Sequence, residues 1–442
     1  MRSYKTQADA ISTLPSGIPF IIANEAAERF SYYGMRAILV VYMTQYLLTA
    51  SGQTAHLSEQ DAQGYFHLFV SSVYFMPLLG ALLADVCLGK YRTIIGLSLF
   101  YCLGHLALAI DDTRTGLILG LALVALGSGG IKPCVSAHVG DQFGDANRHL
   151  LAKVYSWFYF AINFGAFASM LATPWLLEHH GPAAAFAVPG LLMLLATGVF
   201  WGGRFRFIHK PPAGRMAMRI LFNRESWAVL AKLAGIYAFI TIFWALFDQT
   251  GSSWIIQAQK MDRWLWGIEL LPSQIQAANP LLIMLLVPLF SYGVYPLLGR
   301  FFKLTALRKI SIGLFLAVLA FALAGGIQRQ LDVGAAPNIG WQLLAYVILT
   351  SAEVMVSITC LEFSYTQAPV AMKSMVMALY FLSVAAGNLI TSAVNFFIQN
   401  DDGTLKLVGA DYFWFFTALM LVTAVVFVWA SRRYQEDTAA TS

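Results

Sequence analysis

Apolar residues in this chain gather into long blocks separated by short charged stretches. A helix needs about 20 consecutive, mostly apolar residues to cross a bilayer. Twelve blocks reach that length: 18–48, 62–86, 92–111, 115–138, 150–176, 183–203, 226–256, 275–298, 307–328, 339–363, 371–399 and 408–431. Several exceed the minimum, which implies tilt or extension beyond the lipid. The period-two alternation and frequent turns of a membrane barrel are absent. The pattern predicts an all-α membrane protein with 12 transmembrane helices. A hydrophilic linker at 204–225, containing Pro211-Pro212, separates six helices in 1–203 from six more in 226–442. Two six-helix bundles suggest the internal repeats of secondary transporters. VYFMPLLGALLAD (73–85) and VPLFSYGVYPLLG (287–299) support this, since each is an apolar helix with an internal Pro and Gly running into a basic turn.

Composition sharpens the picture. Of the 442 residues 58% are hydrophobic and 12% charged, the latter about half the share in a soluble domain, and the mean hydropathy is +0.66. Most of the 28 Lys and Arg residues fall on one side of the predicted bundle, among them Lys90, Arg92, Arg204, Arg206, Arg215 and Arg219. The positive-inside rule then places both termini in the cytoplasm. The net charge of +5 reads as topology, with lipid as the surrounding partner and no nucleic acid. The first block is too long and too charged for a secretory signal. Cys87, Cys102, Cys134 and Cys360 have neither metal nor disulfide spacing and read as packing residues.

Charge inside an apolar block costs roughly 2.5–3.5 kcal/mol on insertion scales and marks a functional candidate. The first block carries Glu25, Glu28, Arg29 and Arg36, with Tyr32 completing one helical stripe. Two acids beside one Arg leave a carboxylate free to titrate. Polar stripes in later blocks (Tyr155 and Asn163; Ser357 and Ser364; Asn388, Thr391, Ser392 and Asn395) read as glue between helices, with Tyr155 and Asn163 also candidates for a ligand. His67 is a candidate pocket residue, and His105 and His138 read as core groups. Asp111, Asp112, Asp401 and Asp402 fall in outer loops and read as solvated. Pro77, Pro133, Pro280 and Pro288 predict bends. GSGGIK (127–132) lacks the spacing of a phosphate-binding loop. With no ATPase module and no cofactor motif, energy is expected from an ion gradient.

Five segments carry a family resemblance. GALLADVCLGKYRT (80–93) resembles the signature loop of the major facilitator superfamily, with Gly80, Asp85, Gly89, Lys90 and Arg92 as its structural positions. EAAERFSYYG (25–34) resembles the first-helix motif of the proton-dependent oligopeptide transporters (POT/PTR) within that superfamily. GSGGIKPCVSAHVGDQF (127–143), FYFAINFG (158–165), FWALFDQTGSSW (243–254) and the run from Ser351 to Pro369 resemble further motifs of the same family. The resemblance implies the major facilitator fold and a proton-coupled symporter that imports di- and tripeptides by alternating access. It implies a proton-coupling cluster of Glu25, Glu28, Arg29 and Lys132. Arg29 and Lys132 would also face the peptide carboxylate, and Glu353 its ammonium, with Asn163 and Asn279 assisting. Tyr32, Tyr33, Tyr74 and Trp244 would line side-chain pockets, joined by Ser357 and by Tyr380, which stands where many members place Trp. Arg36 and Asp248 would pair as an outer gate. The expected partners are small peptides and protons, the expected state is a monomer, and the expected location is a bacterial inner membrane.

Departures from the family pattern are Ala166-Phe167 after the fifth-helix motif, Cys360 before the LEF run, and a linker too short for the two extra helices of many bacterial members. Two alternatives remain: transport of nitrate or another small organic solute, disfavoured by Glu25, Glu28 and Glu353, and a non-transporting sensor, disfavoured by short tails. A membrane enzyme is not expected. Ser128 has Leu126 where a nucleophile elbow needs Gly, and no metal-ligand cluster is present.

Overall fold

The computed structural model describes residues 4–8, 10–214, 224–367, 373–400, 402 and 404–432. Arg215 and Arg219 of the linker, Pro369 at the end of the tenth-helix motif, and Asp401 lie outside the described residues.

Backbone amides and carbonyls inside lipid must be satisfied within the segment, so the apolar blocks become helices. These are α1 (Ile18–Gln45), α2 (Glu59–Leu88), α3 (Lys90–Ile110) and α4 (Arg114–Asp141), then one helical run, Asp145–Phe205. Gly181, at φ 76° and ψ 179°, breaks that run into α5 and α6, the two blocks expected on either side of it. There follow α7 (Arg224–Phe247, resuming as Ser253–Gln259), α8 (Pro272–Gly299), α9 (Ala306–Asp332), α10 (Gly340–Ser364), α11 (Met375–Phe397) and α12 (Ala410–Ser431). Among the described residues ten segments are long and apolar enough to span a membrane. α1 carries four charges within its length, and α5 and α6 form one continuous helical run. A two-stranded hairpin, β1 (Trp264–Leu265) with β2 (Ile268–Glu269), joins α7 to α8.

The block 226–256 is less regular than its hydropathy predicts. α7 makes a 3₁₀ turn at Asp248–Gly251 and leaves helical geometry at Ser252 (φ −136°, ψ −91°). The DQTGSS sequence explains the break, because short polar side chains compete for the backbone. Thr250 Oγ1 donates to the Phe247 carbonyl and Gln249 Nε2 to the Ala245 carbonyl.

Among the described residues four π-helical turns lie outside what the apolar pattern predicts: Leu83–Leu88, Ala125–Gly129, Phe290–Val294 and Val354–Ile358. The second shows why such a turn fits. Pro133 has no N–H and cannot satisfy the carbonyl four residues before it, which is that of Gly129. Pro77 leaves the Val73 carbonyl of α2 in the same condition. The two helices meet there, and a Cβ on Gly129 would strike the Val73 carbonyl, while a Cβ on Gly80 would strike the Gly130 carbonyl. α1 and α5 also pack through small residues: Gly34 faces Ser169 and Thr173, and Gly165 faces the backbone of Ala26 and Phe30.

Two compact units result: Met1–Leu57 with Ser72–Leu221, and Ser58–Ser71 with Phe222–Ser442. The first part of α2 belongs to the second unit through hydrogen bonds from Ser71 Oγ to the Ala385 carbonyl (2.8 Å), from Ser392 Oγ to the Gly64 carbonyl (2.8 Å), and from Gln399 Nε2 to Asp61 Oδ1 (3.1 Å). Within the first unit Lys5 bridges to Ile208, so the chain enters α1 and leaves α6 at one face. Lys90, Arg92, His209 and Lys210 line a cavity of about 210 Å³ on that face. The signature-loop Lys90 pairs with Asp141 (2.6 Å), and so does Lys210 (3.0 Å). Gly89, at φ 77°, supplies the left-handed turn between α2 and α3.

Gly80→Ala is expected to destabilise the protein by roughly 1–3 kcal/mol, because the atoms its methyl meets are backbone and cannot move aside. Gly96→Ala, on α3 with open space around it, should not lower stability. Melting temperatures of the two variants in detergent provide the comparison.

Candidate functional site

In the first unit the polar stripe of α1 is buried among α4 and α5. Glu25 and Glu28 are each 1% exposed. Arg29 Nε donates to Glu25 Oε1 at 2.7 Å and lies 3.2 Å from Glu28 Oε2. The second oxygen of Glu28 accepts from Ser128 Oγ at 2.8 Å. Ser128 sits inside the π turn of α4, one turn ahead of Lys132 on the same helix. Sequence reading had set Ser128 aside as a non-nucleophile; its spacing of four from Lys132 was the signal that it shares that face.

Lys132 lies near this cluster without a direct hydrogen bond to either acid. Its Nζ lies 4.0 Å from the centroid of the Tyr32 ring and 5.9 Å from that of Tyr74. The residue is 8% exposed, and Nζ has no hydrogen-bond acceptor among the described residues. Aromatic faces attract the ammonium electrostatically but leave its N–H groups unused. Tyr33 packs edge-on against Tyr32, with centroids 5.2 Å apart. Asn163 is buried and turns its Nδ2 back to the Tyr159 carbonyl of its own helix (2.9 Å). Tyr155 donates to the Ser136 carbonyl (3.1 Å). Arg36 is buried one turn beyond Tyr32. His105 is a core group, as expected: Nδ1 donates to the Phe186 carbonyl (3.2 Å), so Nε2 in the neutral ring accepts from Ser31 Oγ (2.8 Å).

In the second unit Glu353 closes the regular part of α10 just ahead of the π turn Val354–Ile358. Asn279 Nδ2 of α8 donates to Glu353 Oε2 at 2.7 Å and to Thr350 Oγ1 at 3.2 Å. Ser357, inside the π turn, is 2.7 Å from the Tyr380 hydroxyl. Trp244 meets Tyr380 edge-on at 6.1 Å, and Tyr237 meets it at 6.0 Å. Gly387 on α11 lets the Trp244 segment of α7 approach, since a Cβ there would lie 3.1 Å from Trp244 Cβ. π turns are frequent at functional sites, and here two of them carry Ser128 and Ser357.

Asp248 accepts from Asn388 Nδ2 (2.7 Å), Asn388 Oδ1 lies 2.8 Å from His67 Nδ1, and His67 Nε2 lies 2.8 Å from Ser252 Oγ. Asn388 was read from sequence as helix glue. Its place between an acid and a histidine was not legible, because α2, α7 and α11 are far apart along the chain.

Residues 91–233 and 223–415 match the sequence model of the POT family. The chain belongs to the POT family. It is 38% identical over 368 residues to "Peptide transporter family 1" of Drosophila melanogaster, covering 73% of this chain and 48% of that protein. It is 36% identical over 398 residues to "Solute carrier family 15 member 2" of Homo sapiens, covering 79% and 54%. The chain therefore spans about half the length of these curated relatives. Among solved structures, the POT family transporter PepTSo is 37% identical with a TM-score of 0.86, over 96% of this chain and 99% of that one. A peptide transporter POT in complex with sulfate is 26% identical with a TM-score of 0.81, over 98% and 97%. The POT fold, a multi-pass major facilitator bundle, is thus the fold of this chain.

A buried ammonium without an acceptor is a cost to stability that function can justify. Lys132→Met is expected to raise the melting temperature in detergent. Ser128→Ala, which strips an acceptor-bound donor from buried Glu28, should lower stability by roughly 1–3 kcal/mol. Thermal unfolding of the two variants at neutral pH reads both signs.

Proposed function

We propose that this POT family member is a proton-coupled symporter of di- and tripeptides, working by alternating access in a bacterial inner membrane with both termini in the cytoplasm. The observation that carries the reading is the pairing of chemistries in the two units: a buried cation that lacks an acceptor, Lys132, and a carboxylate oriented by an amide, Glu353. A peptide is a zwitterion whose ends are common to all sequences. Lys132, with Arg29, binds its carboxylate, and Glu353, steadied by Asn279, binds its ammonium. Tyr32, Tyr33, Tyr74, Trp244 and Tyr380 offer apolar faces without demanding one side chain. The complex of a related peptide transporter POT variant with alafosfalin fits this substrate class.

Coupling follows from the shared cation. Arg29 serves both Glu25 and Glu28. A peptide carboxylate that draws Arg29 leaves a buried glutamate without its counter-ion, and that glutamate takes up a proton. Arg36 and Asp248 serve as gate residues. The proton gradient is the energy source, with no cofactor.

Dialanine uptake into proteoliposomes under an inward proton gradient and an inside-negative potential tests the reading. Accumulation abolished by an uncoupler is expected, and absence of uptake by folded, inserted protein would point to a non-peptide solute. Glu28→Gln should lose gradient-driven uptake but keep counterflow exchange; loss of both would remove its specific role in coupling. Glu353→Ala should weaken dialanine binding by roughly tenfold to a hundredfold, the cost of leaving a charged end unpaired.

A further inference from the structure

The hairpin that joins α7 to α8 has a tip with no charged or hydrogen-bonding side chain other than indole. Between Arg263 and Glu269 the sequence reads Trp-Leu-Trp-Gly-Ile, residues 264–268. β1 and β2 pair Trp264 with Glu269 and Leu265 with Ile268, which leaves Trp266 and Gly267 alone in the turn. Their φ angles are 48° and 81°, and a two-residue hairpin turn with both angles positive favours Asn before Gly. Trp266 is the one non-glycine residue at positive φ among the described residues. For so bulky a side chain that backbone is strained, and strain held at one position points to a role outside the hairpin itself. The side chains of the tip are turned outward: Trp266 is 88% exposed, Ile268 66% and Trp264 56%. The charges beside them cancel, since Arg263 pairs with Glu269 at 2.7 Å.

The hairpin is fastened to the loop between α9 and α10. Asn338 Nδ2 donates to the Trp264 carbonyl (2.8 Å) and to Asp262 Oδ2 (2.9 Å), and the Ile339 amide donates to the Asp262 carbonyl (2.8 Å). It also stays close to the helix ends, because α8 begins at Pro272, directly after Leu270 and Leu271. Two residues of strand rise only about 7 Å, and the headgroup layer on each side of the hydrocarbon is roughly 5–7 Å deep. Trp341, in the first turn of α10 and three residues beyond Asn338, is exposed and shares a helix face with exposed Leu344. On α8, Leu281, Leu285 and Leu289 form an exposed apolar stripe of the kind that meets lipid. The apolar tip therefore adjoins the ends of two helices whose exposed faces are themselves apolar.

We propose that the tip of this hairpin is an interfacial anchor, seated in the lipid headgroup layer of the leaflet opposite the 204–225 linker. α7 crosses once between linker and hairpin, which puts the two on opposite sides of the membrane. An indole ring suits that layer, with its apolar body toward the acyl chains and its N–H toward the headgroups. Trp264, Trp266 and Ile268 enter it together, and the Arg263–Glu269 pair stays at its aqueous edge. The anchor fixes the depth of Ser253–Gln259, the part of α7 beyond its break. It rests on the chain being a membrane protein and is independent of which solute is carried.

Tryptophan fluorescence of the full chain in phosphatidylcholine nanodiscs holding a single copy tests this. The chain has 11 tryptophans, so the Trp266 contribution is read as the difference between the unaltered protein and Trp266→Asn. Asn suits the left-handed turn, and the melting temperature of this variant in detergent should not fall. If it nevertheless fails to fold, Trp266→Phe supplies the same difference with the tip still apolar. The Trp266 contribution should be quenched more strongly by lipid carrying a nitroxide near the headgroup than by lipid labelled near the chain end or by aqueous iodide. Iodide quenching that exceeds quenching by either lipid puts the tip in water and overturns the anchor. A contribution open to iodide in single-copy discs but shielded in densely packed vesicles assigns the tip to a second copy of the chain, which overturns it as well.

Discussion

At Gly129 and Gly80 there is no room for a methyl group. Pro77 and Pro133 each strip a carbonyl of its intrahelical partner, and α2 and α4 meet at those places. The contact is backbone on backbone, which makes it stiff. On α4 it fixes both Ser128, which holds Glu28, and Lys132, which stands over Tyr32 and Tyr74. The charged stripe of α1 tolerates its burial only because α4 arrives at this depth and register. α5 approaches α1 by the same device, with Gly165, Ser169 and Thr173 allowing its backbone close to Arg29.

Most of the helical architecture was legible in the sequence, since lipid leaves the backbone little alternative. The four charges of α1, conspicuous in an apolar run, led directly to the buried cluster. What could not be read was anything that depends on a helix departing from ideal winding. The four π turns have no pattern of their own, although a proline four residues after a glycine, as at Gly129 and Pro133, is a hint. The break at Ser252 was present in the DQTGSS string but hidden within an otherwise apolar block. Pairings across distant segments, such as Asn388 with His67 and Asp248, exist only in three dimensions.

The two candidate clusters are prepared differently. In the first unit, acids and cations are balanced, and the unsatisfied member is a cation resting on aromatic faces. In the second, Glu353 has an amide donor and a hydroxyl-bearing π turn beside it. Tyr380 in place of the Trp common in the family puts a hydroxyl at the Trp244 contact, and that hydroxyl is engaged with Ser357. Three loop carboxylates, Asp111, Asp262 and Asp402, are held below the usual range by nearby donors: Thr113, Asn338 and Thr404 respectively. They order the loops rather than the clusters.

The glutamine relay from Gln342 to Asp332 has a consequence for chemical ageing. Gln342 Nε2 donates to Gln257 Oε1, Gln257 Nε2 to Gln328 Oε1 and Gln328 Nε2 to Asp332 Oδ1, so Gln257 and Gln328 each donate with the nitrogen and accept with the oxygen, and neither can reverse without its neighbours. Hydrolysis of any one of the three to glutamate would set an acceptor against an acceptor and add a charge. The disturbance would pass along the relay to Asp332 and from there to the Ala410 amide, where the last helix begins. A lesion at Gln257 would therefore be felt as fraying at the start of α12.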